Sequence, residues 1–155
     1  MVKGGSNPDL QLRAIRYLGA IGGSDNGQIL EDAYRASSDE SVKRAIIRSF
    51  MVSGNRARLA AIANEANSSV SLRGEAIRQL GVMRADDELA RMYGRESSTE
   101  LKRQIIQGLF VSRSAARLVE LAKGEKDLRL KRDIVEKLTL MRSKEATDYL
   151  LELLK

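Results

Sequence analysis

The sequence predicts an all-α protein, an α-solenoid (alpha-alpha superhelix) of about five stacked antiparallel helix pairs. Three observations carry this prediction. One helical phrase recurs five times. Its apolar residues keep the spacing of a single buried helix face. A second apolar helix signal follows each copy, with turn-forming residues between. A repeat near 30 residues means that one supersecondary unit is stacked, which gives an extended surface rather than a pocket.

The first copy is Leu10-Gln11-Leu12-Arg13-Ala14-Ile15-Arg16-Tyr17-Leu18 and the second is Val42-Lys43-Arg44-Ala45-Ile46-Ile47-Arg48-Ser49-Phe50. Copies at 72–80, 101–109 and 130–138 follow, so the anchors stand 32, 30, 29 and 29 residues apart. With each anchor as position zero, apolar residues recur at positions 0, 4, 5 and 8, as in Leu72, Ala76, Ile77, Leu80 and Leu101, Ile105, Ile106, Leu109. On a helix these positions share an arc about 140° wide, as a buried face requires. The following helices are marked by Ile29, Leu30 and Ala33, then Leu59, Ile62 and Ala66, then Leu89, Met92 and Tyr93. Leu118, Val119 and Leu121 mark the fourth, and Tyr149, Leu150, Leu151, Leu153 and Leu154 the fifth.

Punctuation agrees with this parsing. Asn7-Pro8-Asp9 places a capping side chain before a proline in the first turn, where the missing N–H costs nothing. Ser37-Ser38-Asp39-Glu40 and Ser97-Ser98-Thr99-Glu100 carry the Ser-x-x-Glu spacing of a capping box. The glycine-rich 22–27 stretch and Ser53-Gly54-Asn55 read as turns. Residues 1–6 read as a polar leader or an appended remnant. Residues 7–155 form one array, with units at about 7–38, 39–68, 69–97, 98–126 and 127–155.

Composition narrows the chemistry. Only 4% of residues are aromatic, so the core must be aliphatic, and the single proline leaves helices unbroken. The chain has no cysteine and no histidine. That removes disulfides, thiolate zinc sites, thiol nucleophiles, the usual general base and the usual metal nitrogen. Carboxylate or lysine chemistry is not forbidden. The expectation is a non-enzyme without cofactor or metal. No run approaches the 18 apolar residues of a membrane span, and no secretory apolar segment opens the chain. A soluble protein, cytoplasmic or periplasmic, is expected. The net charge of +6 is interspersed, which fits a solvated helical surface better than a dedicated polyanion site.

The phrase Leu72-Arg73-x-x-Ala76-Ile77-x-x-Leu80-Gly81 resembles the V-R-x-x-A-x-x-A-L-G phrase of HEAT repeats, in particular the short bacterial phycobilisome-lyase-type HEAT-like repeats. The resemblance covers about 7–155. It implies an armadillo-like superhelix with the phrase helix on the concave face, a scaffold role, and a basic row at position 1 that serves packing. The first copy departs from the pattern, with Gln11 where later copies carry Lys43, Arg73, Lys102 or Lys131. The array also opens on what is the second helix of the family's hairpin. The chain is therefore expected to be a monomer or part of a longer repeat array, with the amphipathic last helix serving as a cap.

The basic row at position 1 has two readings: polyanion capture, or a ladder whose stems cover the neighbouring repeat while the heads bond loop acids or carbonyls. The ladder is the favoured one. Positions 2 and 6 face away from the core and hold Arg16, Arg44, Arg48, Arg78, Arg103 and Arg132, interrupted by Gly74, Gln107 and Glu136. A solvated face is the plainer reading, but this stripe suits bidentate bonding to carboxylates or phosphates and is the best candidate partner-binding surface. Met51 and Phe110, at position 9, are either exposed contact anchors or inter-repeat packing, the latter preferred. Asp86-Asp87-Glu88 reads as helix-start acids favoured by the dipole. The expected function is a scaffold that binds a partner protein or peptide. Nucleic-acid or other polyanion binding through the arginine stripe is the first alternative, weakened by the lack of tryptophan. A lyase-type enzyme subunit is the second.

Overall fold

The computed structural model describes residues 7–155, and the leader assigned to 1–6 lies outside them. Among the described residues the chain is all-α, with ten helices. They are α1 (Pro8–Ile21), α2 (Ser24–Ala36), α3 (Glu40–Val52), α4 (Arg56–Ala63), α5 (Val70–Val82), α6 (Asp86–Arg95), α7 (Thr99–Val111), α8 (Ala115–Gly124), α9 (Leu128–Thr139) and α10 (Lys144–Glu152). None of them is long and apolar enough to cross a membrane. The chain divides into two compact units, Met1–Gln79 and Leu80–Lys155. Helix α5 lends residues 70–79 to the first unit and its last turn to the second.

In the first unit α1 packs on α2 and α3, and α3 packs on α2 and α4. The α3 phrase buries Val42, Ile46, Ile47 and Phe50, all four of its expected core positions. In α1 only Ile15 of the expected four is fully buried, while Leu10 is 62% exposed. In the second unit each helix packs on the helix two places along the chain. Phrase helix α7 lies on phrase helix α9, while α6 lies on α8 and α8 on α10. Leu101, Ile105, Ile106 and Leu109 are at most 1% exposed. Each fully buried Leu or Ile contributes roughly 1.5–3 kcal/mol, so the four of α7 hold a helix that would be marginal alone.

The helix starts differ from the expected capping boxes. Helix α3 begins at Glu40, so Asp39 is its cap and accepts from the Ser41 N–H at 2.8 Å, while Ser37 Oγ accepts from the Asp39 N–H. Helix α7 is capped by Ser98, whose Oγ accepts from the Leu101 N–H. Glu40 and Glu100 thus fall one or two positions into their helices, too early to reach back to the cap. The expected turn at 22–27 is also shorter. It ends at Gly23, and Gly27 lies inside α2, where a Cβ would fall 2.6 Å from Arg58 Nη1.

Three of the phrase helices, α3, α5 and α7, end alike. Asn55 N–H donates to the Phe50 carbonyl, Ala85 N–H to that of Leu80 and Ser114 N–H to that of Leu109, the long bond of a Schellman turn. Such turns need one left-handed residue. In the first unit Gly54 supplies it (φ 73°), and Gly22, where α1 ends, is also left-handed (φ 70°). In the second unit Arg84, Arg113 and Arg142 adopt φ of 57°, 58° and 43°.

Successive phrase helices approach through a recurring pair, position 9 of one copy against position 7 of the next. A Cβ on Gly19 would stand 2.5 Å from Ser49 Cβ, and one on Gly81 2.7 Å from Gly108 Cα. Ser49 Oγ donates to the Ile15 carbonyl at 3.2 Å, which satisfies the hydroxyl at the contact. At Gly81 two backbones touch, so only relative movement of the helices could admit a side chain. Gly81→Leu should therefore lower stability by about 3 kcal/mol or more in urea unfolding. Gly94→Ala, in open space within α6, should be neutral or raise it by up to about 1 kcal/mol. Equal effects of the two would contradict this packing.

Candidate partner-binding face

The six arginines of the stripe stand on phrase helices, and four of them are engaged with neighbouring polar groups. In the first unit Arg48 Nε donates to Glu75 Oε1 at 3.2 Å, and Arg78 Nη1 to Glu75 Oε2 at 2.6 Å. Arg44 reaches Glu40 at 3.4 Å and also donates to Ser71 Oγ. In the second unit Arg103 Nε donates to Asp133 Oδ2 at 2.9 Å. Arg16 and Arg132 are exposed, with no ion pair among the described residues. The stripe thus ties one phrase helix to the next while leaving much of each guanidinium in water: Arg48 is 62% and Arg78 56% exposed.

Glu75 is the buried end of this arrangement, with a side chain only 3% exposed. Burial pushes its carboxyl up. The hydrogen bonds from Gln79 and Arg48 and the charges of Arg78 and Arg48 outweigh burial and hold it below the ordinary carboxylate range. Glu75 and Asp133 both stand at position 3 of their copies, an acid signal at the stripe's edge that the sequence reading passed over. Changing Arg48 and Arg78 together would therefore strip a buried carboxylate of both counter-charges, so those two are structural as well as surface residues.

In the position 1 row Arg73 bonds a carbonyl as the ladder reading expects, while Lys43 and Lys102 lie over tyrosine rings instead. Lys43 Nζ lies 4.8 Å from the Tyr34 ring centroid, Arg73 Nε donates to the Ala63 carbonyl at 2.8 Å, and Lys102 Nζ lies 5.1 Å from the Tyr93 ring. Tyr93 in turn donates its hydroxyl to Glu125, linking α6 to the loop after α8. Burial pushes the Tyr93 hydroxyl far above the ordinary tyrosine range, and the Glu125 bond and charge push the same way. Burial would raise the Glu125 carboxyl, but the Tyr93 bond and the Asp127 backbone N–H hold it below the carboxylate range. A second ladder joins the other helices. Arg58 bonds Glu31 at 2.7 Å in the first unit, and Arg117 bonds Asp87 in the second.

Met51 and Phe110 are half-buried. Lys137 Nζ lies 5.1 Å from the Phe110 ring, which sets position 9 against position 7 of the next copy once more. Phe110 therefore fits the inter-repeat packing reading rather than that of a free anchor. In the second unit a depression of about 250 Å³ is lined by Arg103, Ile106, Gln107, Asp133, Glu136 and Lys137. Asp86-Asp87-Glu88 opens α6, where acids meet the helix dipole. No protein-family model matches the chain, and no curated protein matches it.

The lowered carboxyl of Glu75 has a pH consequence. Its folded value lies below the ordinary 4.5, so its contribution is fully present above that value and is lost as pH falls through the lower folded one. Glu75→Gln should be less stable than the parent at neutral pH by roughly 1–3 kcal/mol. The gap should close in acid, read from urea midpoints across the pH range. A gap independent of pH would contradict the assignment.

Proposed function

We propose that the chain is a HEAT-like α-solenoid and a non-enzymatic scaffold, binding a partner protein or peptide along the solvent face of its phrase helices. One observation carries this reading. The same cross-helix ladder recurs in both units, as Arg48 with Glu75 and Arg103 with Asp133. A surface held in register by its own ion pairs is pre-organised, which lowers the entropic cost of docking a partner. Half-exposed guanidinium edges offer bidentate bonding to carboxylates. The polyanion alternative draws on the charge of +6. It is weakened because the carboxylates in the stripe already neutralise part of it.

The test replaces Arg16, Arg44 and Arg132 with Ser, sparing the two residues that hold Glu75. Folding should survive, because exposed ion pairs contribute only about 0–1 kcal/mol each. Partners captured by the parent chain and mapped to the phrase helices by chemical cross-linking should be lost from the variant. Unchanged capture, or duplex DNA binding that outlasts physiological salt, would contradict the proposal.

A further inference from the structure

The turns that end the phrase helices of the second unit carry a second, separate surface. Arg84, Arg113 and Arg142 stand 29 residues apart, twelve after each anchor. All three are exposed, and none is ion-paired among the described residues. All three adopt the left-handed conformation, for which a β-carbon is unfavourable and glycine is the easy choice. Gly54 fills the equivalent place in the first unit. Folding alone does not ask for arginine there. Two residues before each arginine, Val82, Val111 and Leu140 are 52%, 47% and 66% exposed. The unit therefore presents an apolar side chain and an unpaired guanidinium at each of three successive rungs. Of the acids that follow Arg84, Asp87 is engaged by Arg117 and Asp86 is half-buried.

We infer that this turn edge docks an extended acidic peptide segment with a carboxylate at every third residue. Charge complementarity selects the acid, and the exposed valines and leucine select a chain with apolar residues between. The spacing follows from helix packing. Neighbouring packed helices lie about 8–10 Å apart, and an extended chain advances about 3.3 Å per residue. A polyproline II chain, with about three residues per turn and 3.1 Å rise, returns the same face at each rung. The three turns hold no aromatic side chain on which a base could stack, so a peptide fits better than a single-stranded nucleic acid. The inference rests on the scaffold reading only in that the chain binds a partner; it uses a different surface from the stripe.

The test measures fluorescence anisotropy of a labelled synthetic peptide with glutamate at every third position and leucine and proline between. The full chain should bind it, more weakly as salt rises, and should bind a peptide of equal composition with its glutamates in one block several-fold less well. Arg84→Gly, Arg113→Gly and Arg142→Gly combined should lose roughly tenfold in affinity, with an equal or higher Tm because glycine suits these φ angles. Val82→Ser, Val111→Ser and Leu140→Ser combined should also weaken binding, which covers the case of a glycine variant that fails to fold. Absence of binding by the parent chain, equal binding of the blocked peptide, or unchanged affinity of either variant would overturn the inference. If Arg16→Ser, Arg44→Ser and Arg132→Ser abolished binding while the turn variants kept it, this inference would fall and the scaffold reading would stand.

Discussion

The contact between position 9 of one phrase helix and position 7 of the next is the constraint on which the other regularities depend. Gly81 against Gly108 brings two helix backbones together, and Gly19 against Ser49 does nearly the same. Once that contact fixes the sliding register, the positions that follow are no longer free. In the second unit the buried residues of α7 and α9 pack against each other, the position 3 acids Glu75 in the first unit and Asp133 in the second meet the preceding copy's arginines, and the left-handed turns at Arg84, Arg113 and Arg142 recur at one step. Phe110 and Lys137 fill the same place with bulk and charge. The contact thus tolerates different chemistry provided that the two sides are complementary in size.

Electrostatics follow from that register. Glu75 tolerates its burial because Arg48, Arg78 and Gln79 converge on it. A buried carboxylate with three donors is a strict requirement on alignment, because removing a partner leaves an uncompensated charge. The exposed pairs, such as Lys144 with Asp148, contribute little by comparison. The arginines of the stripe therefore differ in weight: Arg48 and Arg78 hold the buried Glu75, while Arg16 and Arg132 are exposed and have no ion pair among the described residues.

The helices and the buried face were legible because both follow from periodicity alone. Val42, Ile46, Ile47 and Phe50 are buried where a 3.6-residue period places them. Helix starts were less legible, since Ser37 and Asp39 both offer a capping oxygen and only the first helical residue decides between them. Gly27 misled for a related reason: glycine marks turns, but here it makes room for Arg58. The counter-ions of the stripe needed a comparison between copies rather than within one, because Arg48 and Glu75 are far apart in sequence. The left-handed arginines carried no local signal, because arginine has no preference for that conformation. Only alignment with Gly54 reveals the position.

The proposed stacking by a constant step can be tested directly because the chain contains no cysteine. Pyrene attached at Arg84→Cys and Arg113→Cys should give strong excimer emission, since adjacent phrase helices place the labels about 8–10 Å apart. Pyrene at Arg84→Cys and Arg142→Cys, two steps apart, should give little. Excimer emission from both pairs alike, or from the distant pair alone, would contradict a unit built by translating one hairpin onto the next.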